Sequence, residues 1–119
     1  MDITKQEFID KIFDYENEKD WKYKGELPCL IDFSAEWCSP CKQLSPVLND
    51  LEKEYEGKIN IYKIDVDEES EVATAFGIRS IPTILICPKE SKLGRIYGFR
   101  TKSALKDIIE DKLISTTLA

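Results

Sequence analysis

Four cysteines and no histidine bound the chemistry open to this chain of 119 residues. Cys38 and Cys41 stand three positions apart in Glu36-Trp37-Cys38-Ser39-Pro40-Cys41-Lys42. Thiols at that spacing can open and close as a disulfide, and the thiolate is the attacking species in disulfide exchange. The lack of histidine removes the Ser-His-Asp triad, the Cys-His dyad and any His-ligated zinc site. Proton transfer near neutral pH then falls to carboxylate, thiol, lysine or water. A lone C-x-x-C also fits half a zinc site. Zinc needs two further ligands, only Cys29 and Cys87 remain, and both fall away from the Cys38 end of their strands. No metal is therefore expected.

The elements that must hold the pair follow from periodicity. Cys29 to Phe33 is a nearly unbroken apolar run, the pattern of a strand buried on both faces. Cys38 then opens a helix running to about Tyr55. Cys41, Leu44, Leu48, Leu51 and Tyr55 step by three and four and share its inner face, while Pro46 inside it should kink the axis. At the helix N-terminus, unpaired N–H groups and the dipole favour a Cys38 thiolate. Cys41, one turn further in, is the natural resolving thiol, with its pKa raised by desolvation. Pro40 costs no hydrogen bond so close to the helix start.

Ile59 to Val66 reads as a second strand. Glu69 to Phe76 reads as a short helix stopped at Gly77. Thr83 to Cys87 and Arg95 to Tyr97 are further strands, and a helix capped by Thr101 carries Leu105, Ile108, Ile109 and Leu113 inward. Upstream, Thr4 to Tyr15 is a helix with a Thr4/Glu7 capping box and a stripe of Phe8, Ile9, Ile12 and Phe13. Glu16 to Asp20 is a charged loop, and Trp21 to Lys24 is a candidate short strand before a turn at Gly25. Residues 115–119 are expected to fray. Alternating strands and helices give an α/β fold with helices on both faces of a sheet. With no repeat or linker, residues 1–119 form one domain led by a short segment, 1–3.

A net charge of −6 disfavours nucleic acid and anionic membranes as partners. With 42% hydrophobic and 34% charged residues, the composition is that of a globular chain. No run approaches the length of a membrane-spanning helix, and no apolar leader follows Met1 to Asp10. The expected location is cytoplasmic.

The stretch Ile31-Asp32-Phe33-Ser34-Ala35-Glu36-Trp37-Cys38-Ser39-Pro40-Cys41-Lys42 resembles the active-site segment of the thioredoxin family. Phe76-Gly77-Ile78-Arg79-Ser80-Ile81-Pro82-Thr83 resembles that family's cis-proline segment. The resemblance runs in order from about Pro28 to Leu113. It implies a thioredoxin-like fold, with a central mixed sheet flanked by helices on both faces. It implies a monomeric protein-disulfide reductase that works through the Cys38/Cys41 couple on disulfide-containing proteins. Such a protein needs no bound cofactor and is recycled by an NADPH-dependent thioredoxin reductase.

By the same resemblance Cys38 is the nucleophile, Cys41 the resolving thiol, Asp32 the buried proton acceptor, Lys63 its modulator and Pro82 the cis-proline. An Asp amid Leu30, Ile31 and Phe33 is costly unless it works or is paired, and burial should raise its pKa toward a useful range. Lys63 could instead be a solvent-facing strand lysine. Trp37, Pro40, Ile81, Tyr97 and Gly98 are implied to rim an exposed Cys38 thiol. Ile81 would offer backbone to an extended substrate, and Gly98 would leave room for its approach. For Trp37 and Tyr97 the alternative is ordinary packing.

The departures from the family pattern are specific. Ser39-Pro40 stands where the family usually has Gly-Pro, which bears on the redox potential and not on the reaction class. Only Met1 to Ile3 precede the first helix, so the family's first strand is either lost or partly replaced by Trp21 to Lys24; Glu16 to Lys24 looks inserted. Cys29 and Cys87 should lie on adjacent antiparallel strands, remote from Cys38, as small buried hydrophobes; a second, regulatory disulfide is the alternative. Two rival functions remain: an oxidase or isomerase of an oxidising compartment, and a non-catalytic interaction module on the same fold.

Overall fold

In the computed structural model, which describes residues 1–114, the apolar run becomes strand β1, Cys29–Ser34. It lies inside a four-stranded sheet with β2 (Asn60–Asp65), β3 (Thr83–Cys87) and β4 (Gly94–Tyr97), in the order β2-β1-β3-β4. β1 runs parallel to β2 and antiparallel to β3, and β3 is antiparallel to β4, so the sheet is mixed. Period-2 alternation divides β1 between two cores. Cys29, Ile31 and Phe33 pack with Tyr62, Ile64 and Leu85 against Phe8 of helix α1 (Lys5–Lys11), its C-cap Ile12 and Val72 of helix α3 (Ser70–Ala75). Leu30 faces the other way, with Ile61, Ile84 and Ile86. There it meets Leu44, Leu48 and Leu51 of helix α2 (Ser39–Glu54) and Leu105 of helix α4 (Lys102–Ile108).

Helix α1 has the expected capping box: Thr4 Oγ accepts from Glu7 N–H, and Glu7 accepts from Thr4 N–H. It ends at Lys11, short of Tyr15. The reason lies in Trp21 to Lys24, which is not a strand. This segment returns to cover the end of α1, where the Lys24 amide donates to Ile12 O at 2.8 Å and its ammonium to Ile9 O at 2.9 Å. Those bonds satisfy carbonyls that a helix end leaves open. The Trp21 and Tyr23 rings stack, and Trp21 packs on Phe13 at 5.0 Å.

The family's first strand is therefore not replaced from Trp21 to Lys24. It survives as a stub at residues 1–3 on the outer edge of β2, where Ile3 N–H donates to Lys63 O at 2.9 Å and Lys63 N–H to Met1 O at 2.8 Å. Helix α2 starts and stops as the pattern indicates and continues through Pro46. Gly77 follows α3 with φ +62°, the left-handed geometry that suits glycine after a helix. Thr101 caps α4 through Ala104 N–H. Beyond Ile108 the chain widens into a π-helical segment, Ile109–Ile114, which keeps Ile109 and Leu113 buried. Residues 115–119, read from sequence as a frayed tail, lie outside the described residues.

Candidate active site

Three chain segments meet at the carboxyl end of β1. The first is the start of α2. Cys38 is its N-cap, with extended backbone, and the Cys38 sulfur accepts the Cys41 N–H at 3.2 Å. Sulfur thus takes the place of the usual capping oxygen. Ser39 and Pro40 follow as exposed residues of the first turn. Cys38 and Cys41 are joined as a disulfide with a Cα–Cα distance of 5.2 Å, inside the normal span for such bonds.

Cys38 is not the exposed residue expected from sequence. It is 4% exposed, as is Cys41. Ala35 is buried beside them, and half-buried Val66 and Ile81 pack over the pair. These covering residues come from distant parts of the chain, so the local sequence around Cys38 does not announce them.

The second segment is the loop into β3. The Ile81–Pro82 bond is cis, and the Ile81 carbonyl oxygen lies 3.9 Å from the Cys38 sulfur. The third is the end of β4, where Gly98 N–H donates to Pro82 O at 2.8 Å. Gly98 has φ +81°, a conformation L side chains rarely adopt. Around this meeting point Trp37 is 70% exposed and Tyr97 57%, so neither is spent on core packing. The Trp37 indole N–H donates to an Asp67 carboxylate oxygen at 2.8 Å, which fixes the ring. Sequence reasoning missed Asp67 as that anchor and Phe99 as a further exposed aromatic next to Gly98. The Tyr97-Gly98-Phe99 triplet was the available signal for Phe99.

On β1, the strand that leads into the site, Asp32 is 2% exposed, and its Oδ1 has no hydrogen-bond partner among the described residues. Burial pushes its pKa up to about 7, against the opposing pull of the Lys63 charge. Register places Lys63 directly beside Asp32 on β2. Lys63 is half-buried, and its ammonium donates to Ser45 Oγ at 2.7 Å and Asn49 Oδ1 at 3.3 Å, both on α2. It is neither a solvent-facing lysine nor an ion-pair partner of Asp32 among the described residues, and it acts on Asp32 through its field. A cavity of about 520 Å³ opens between α2 and β2, lined in part by Cys41, Ser45, Lys63 and Asp2.

The second cysteine pair sits at the opposite end of β1. Cys29 and Cys87 face each other in register across β1 and β3. Both are free thiols with no exposed surface. Burial, and then the neighbouring Cys29 thiol, push the Cys87 pKa well above the usual range. Among the described residues no group of three or more Cys, Asp or Glu is arranged to hold a metal, and no helix is long and apolar enough to cross a membrane.

A disulfide that caps a helix, approached by a cis-proline loop, with a buried carboxylate on the strand that leads into it, defines a class of thiol–disulfide oxidoreductases built on a mixed sheet with helices on both faces. Comparison with known proteins narrows the class. The thioredoxin family's sequence profile matches residues 4–111. The chain is 43% identical to a thioredoxin of Borreliella burgdorferi over 111 residues, covering 93% of this chain and 95% of that one. It is 44% identical to an M-type chloroplastic thioredoxin of Spinacia oleracea over 82% of this chain and 55% of that one. Among solved structures, chloroplastic thioredoxin z superposes with a TM-score of 0.78 at 27% identity, over 92% of this chain and 90% of that one. The chain belongs to the thioredoxin family, and it is a thiol–disulfide oxidoreductase whose redox centre is Cys38 and Cys41.

Proposed function

We propose that the chain reduces disulfides in other proteins, and that the capped Cys38 sulfur carries this reading. In the reduced state the same helix start offers an N–H and a positive dipole end to a Cys38 thiolate. That thiolate attacks a substrate disulfide, forms a mixed disulfide and releases the first substrate sulfur as a thiolate. Asp32 takes the proton of Cys41 through a water molecule. The Cys41 thiolate then attacks the Cys38 sulfur, the second substrate sulfur leaves, and the Cys38–Cys41 disulfide closes. With a pKa near 7, Asp32 suits a proton acceptor at neutral pH. Lys63 keeps Asp32 from rising further.

Ile81, next to cis-Pro82, presents backbone to an extended substrate segment. Trp37, Pro40, Tyr97 and Gly98 form the surface around it. A thioredoxin reductase drawing on NADPH returns the disulfide to the dithiol. The same reading takes the chain as a cytoplasmic monomer. Insulin reduction by wild type, Cys38→Ser and Cys41→Ser tests the reading. Turnover by wild type alone is expected, with a trapped mixed disulfide in Cys41→Ser. Undiminished turnover by Cys38→Ser overturns it.

A further inference from the structure

The lead segment at residues 1–3 is more than a remnant of an edge strand. Its bridge sets Asp2 level with Lys63 of β2, and Lys63 is in turn level with Asp32 of β1. Residues at one level on neighbouring strands present their side chains to the same face of a sheet. Here that face looks toward α2, and Asp2 and Lys63 both line the cavity that reaches Cys41. The backbone holds the arrangement through two hydrogen bonds to Lys63, and Ile3 is buried on the opposite face.

We propose that Asp2 is a positioning residue for the dithiol reaction, the outer carboxylate of a charge row Asp2–Lys63–Asp32 through which it tunes the proton acceptor. This rests on the reading of Asp32 as that acceptor. Lys63 alone would favour an ionised, weakly basic Asp32. Asp2 stands on the far side of the same ammonium and opposes that pull.

The charges acting on Asp32 come from three places. Lys63 on β2 lowers its pKa, Asp2 on the lead raises it, and the Met1 amine lowers it. β3 contributes only Ile84 opposite Asp32. α2 contributes Cys41, tied in the disulfide, and Lys42 at the cavity rim, where Asp65, Glu68 and Glu69 also stand. Asp2 is exposed, and the two hydrogen bonds that hold it level with Lys63 are made by the backbones of Met1 and Ile3. Its side chain can therefore be changed without removing a structural contact.

The test is a carboxyl NMR titration of Asp32 in the oxidised protein, in wild type, Asp2→Asn, Asp2→Lys and, as a control on the turn after β3, Glu90→Gln. One charge two strand spacings away, ~10 Å, at an effective dielectric between ~20 and ~80, moves a midpoint by about 0.3 to 1 pH unit. The Asp32 midpoint should fall by that amount in Asp2→Asn, by about twice as much in Asp2→Lys, and stay in place in Glu90→Gln. The acid limb of the pH profile for mixed-disulfide resolution should move with it. The same midpoint in all four proteins overturns the proposal. Asp32→Asn separates the two ideas: resolution at the wild-type rate and pH profile removes the proton-acceptor reading, while Asp2 is still judged by the midpoint.

Discussion

A cysteine pair lies near each end of strand β1, Cys38 and Cys41 at the start of α2 and Cys29 with Cys87 across β1 and β3, and the two pairs differ in almost everything except burial. Cys38 and Cys41 are 4% exposed, and Cys29 and Cys87 are fully enclosed. Burial in an apolar core raises a thiol's pKa, as it does for Cys87, and makes the group inert. At the other end, Cys38 stands where α2 begins and its sulfur receives a backbone N–H. A helix N-terminus has donors to spare and a positive dipole end. An antiparallel ladder uses its N–H groups on the neighbouring strand, and sheets have little net dipole. Reactivity here follows from which backbone groups face the sulfur, not from residue type or exposure alone.

The widest gap between the pairs is catalytic. Cys38→Ser should abolish insulin reduction, whereas the double variant Cys29→Ala/Cys87→Ala should keep turnover within about twofold, because those thiols contribute only small apolar volume. A comparable loss in both would break the contrast. Next comes alkylation of the reduced native protein at neutral pH. Cys38 should react about two orders of magnitude faster than Cys29 or Cys87, which must await local opening of the sheet. Equal rates, followed by mass spectrometry, would show that the second pair is not sealed. Counting free thiols after mild oxidation checks the same point: two should remain, on Cys29 and Cys87.

Asp32 lies on the same strand between the pairs and gives a thermodynamic handle. Its pKa of about 7 stands above the ordinary carboxylate value of ~3.9, so the folded state binds the extra proton between those limits. Stability from this group therefore falls as pH rises from ~4 to ~7 and is lowest above that window. Asp32→Asn removes the penalty. Its stability relative to wild type should improve by roughly 4 kcal/mol between pH 4 and pH 8, read by denaturant unfolding at each pH. A difference independent of pH would mean the carboxyl is not held up by burial.

The parts legible in the sequence were those written in short-range patterns. The run from Cys29 to Phe33, the three-and-four spacing from Cys41 to Tyr55 and the Thr4/Glu7 box are local signals, and each marked a real element, although the helix that the box opens ends at Lys11 and not at Tyr15. Ile81-Pro82 was legible through its resemblance to the cis-proline segment. Residues 1–3 were too few to show any period, so the edge bridge to Lys63 was invisible. Trp21 to Lys24 has the aromatic character of a strand, but its hydrogen bonds go to the end of α1, a tertiary choice that propensity does not contain. Of the cover over Cys38, Ile81 was read through the resemblance, whereas Val66, far along the chain, carries no local signal. The π-helical turn at Ile109–Ile114 preserves the same buried positions as an α-helix and so leaves no mark in the pattern.

The smallest expected effect concerns Ser39, which opens α2 between the two working thiols. Ser39→Gly should restore the family's usual dipeptide and shift the potential of the pair by about 30 mV or less, a tenfold change at most in its equilibrium with a reference dithiol. A larger shift would mean that Ser39, and not the helix start, dominates the behaviour of Cys38.

The central claim is that the Cys38–Cys41 couple donates electrons to protein disulfides. Equilibrating the protein with a thioredoxin reductase and NADPH of set ratio measures its potential directly. A value near that of thioredoxin, about −270 mV, is the predicted result; a strongly oxidising couple near about −120 mV would make the chain an oxidant and contradict it.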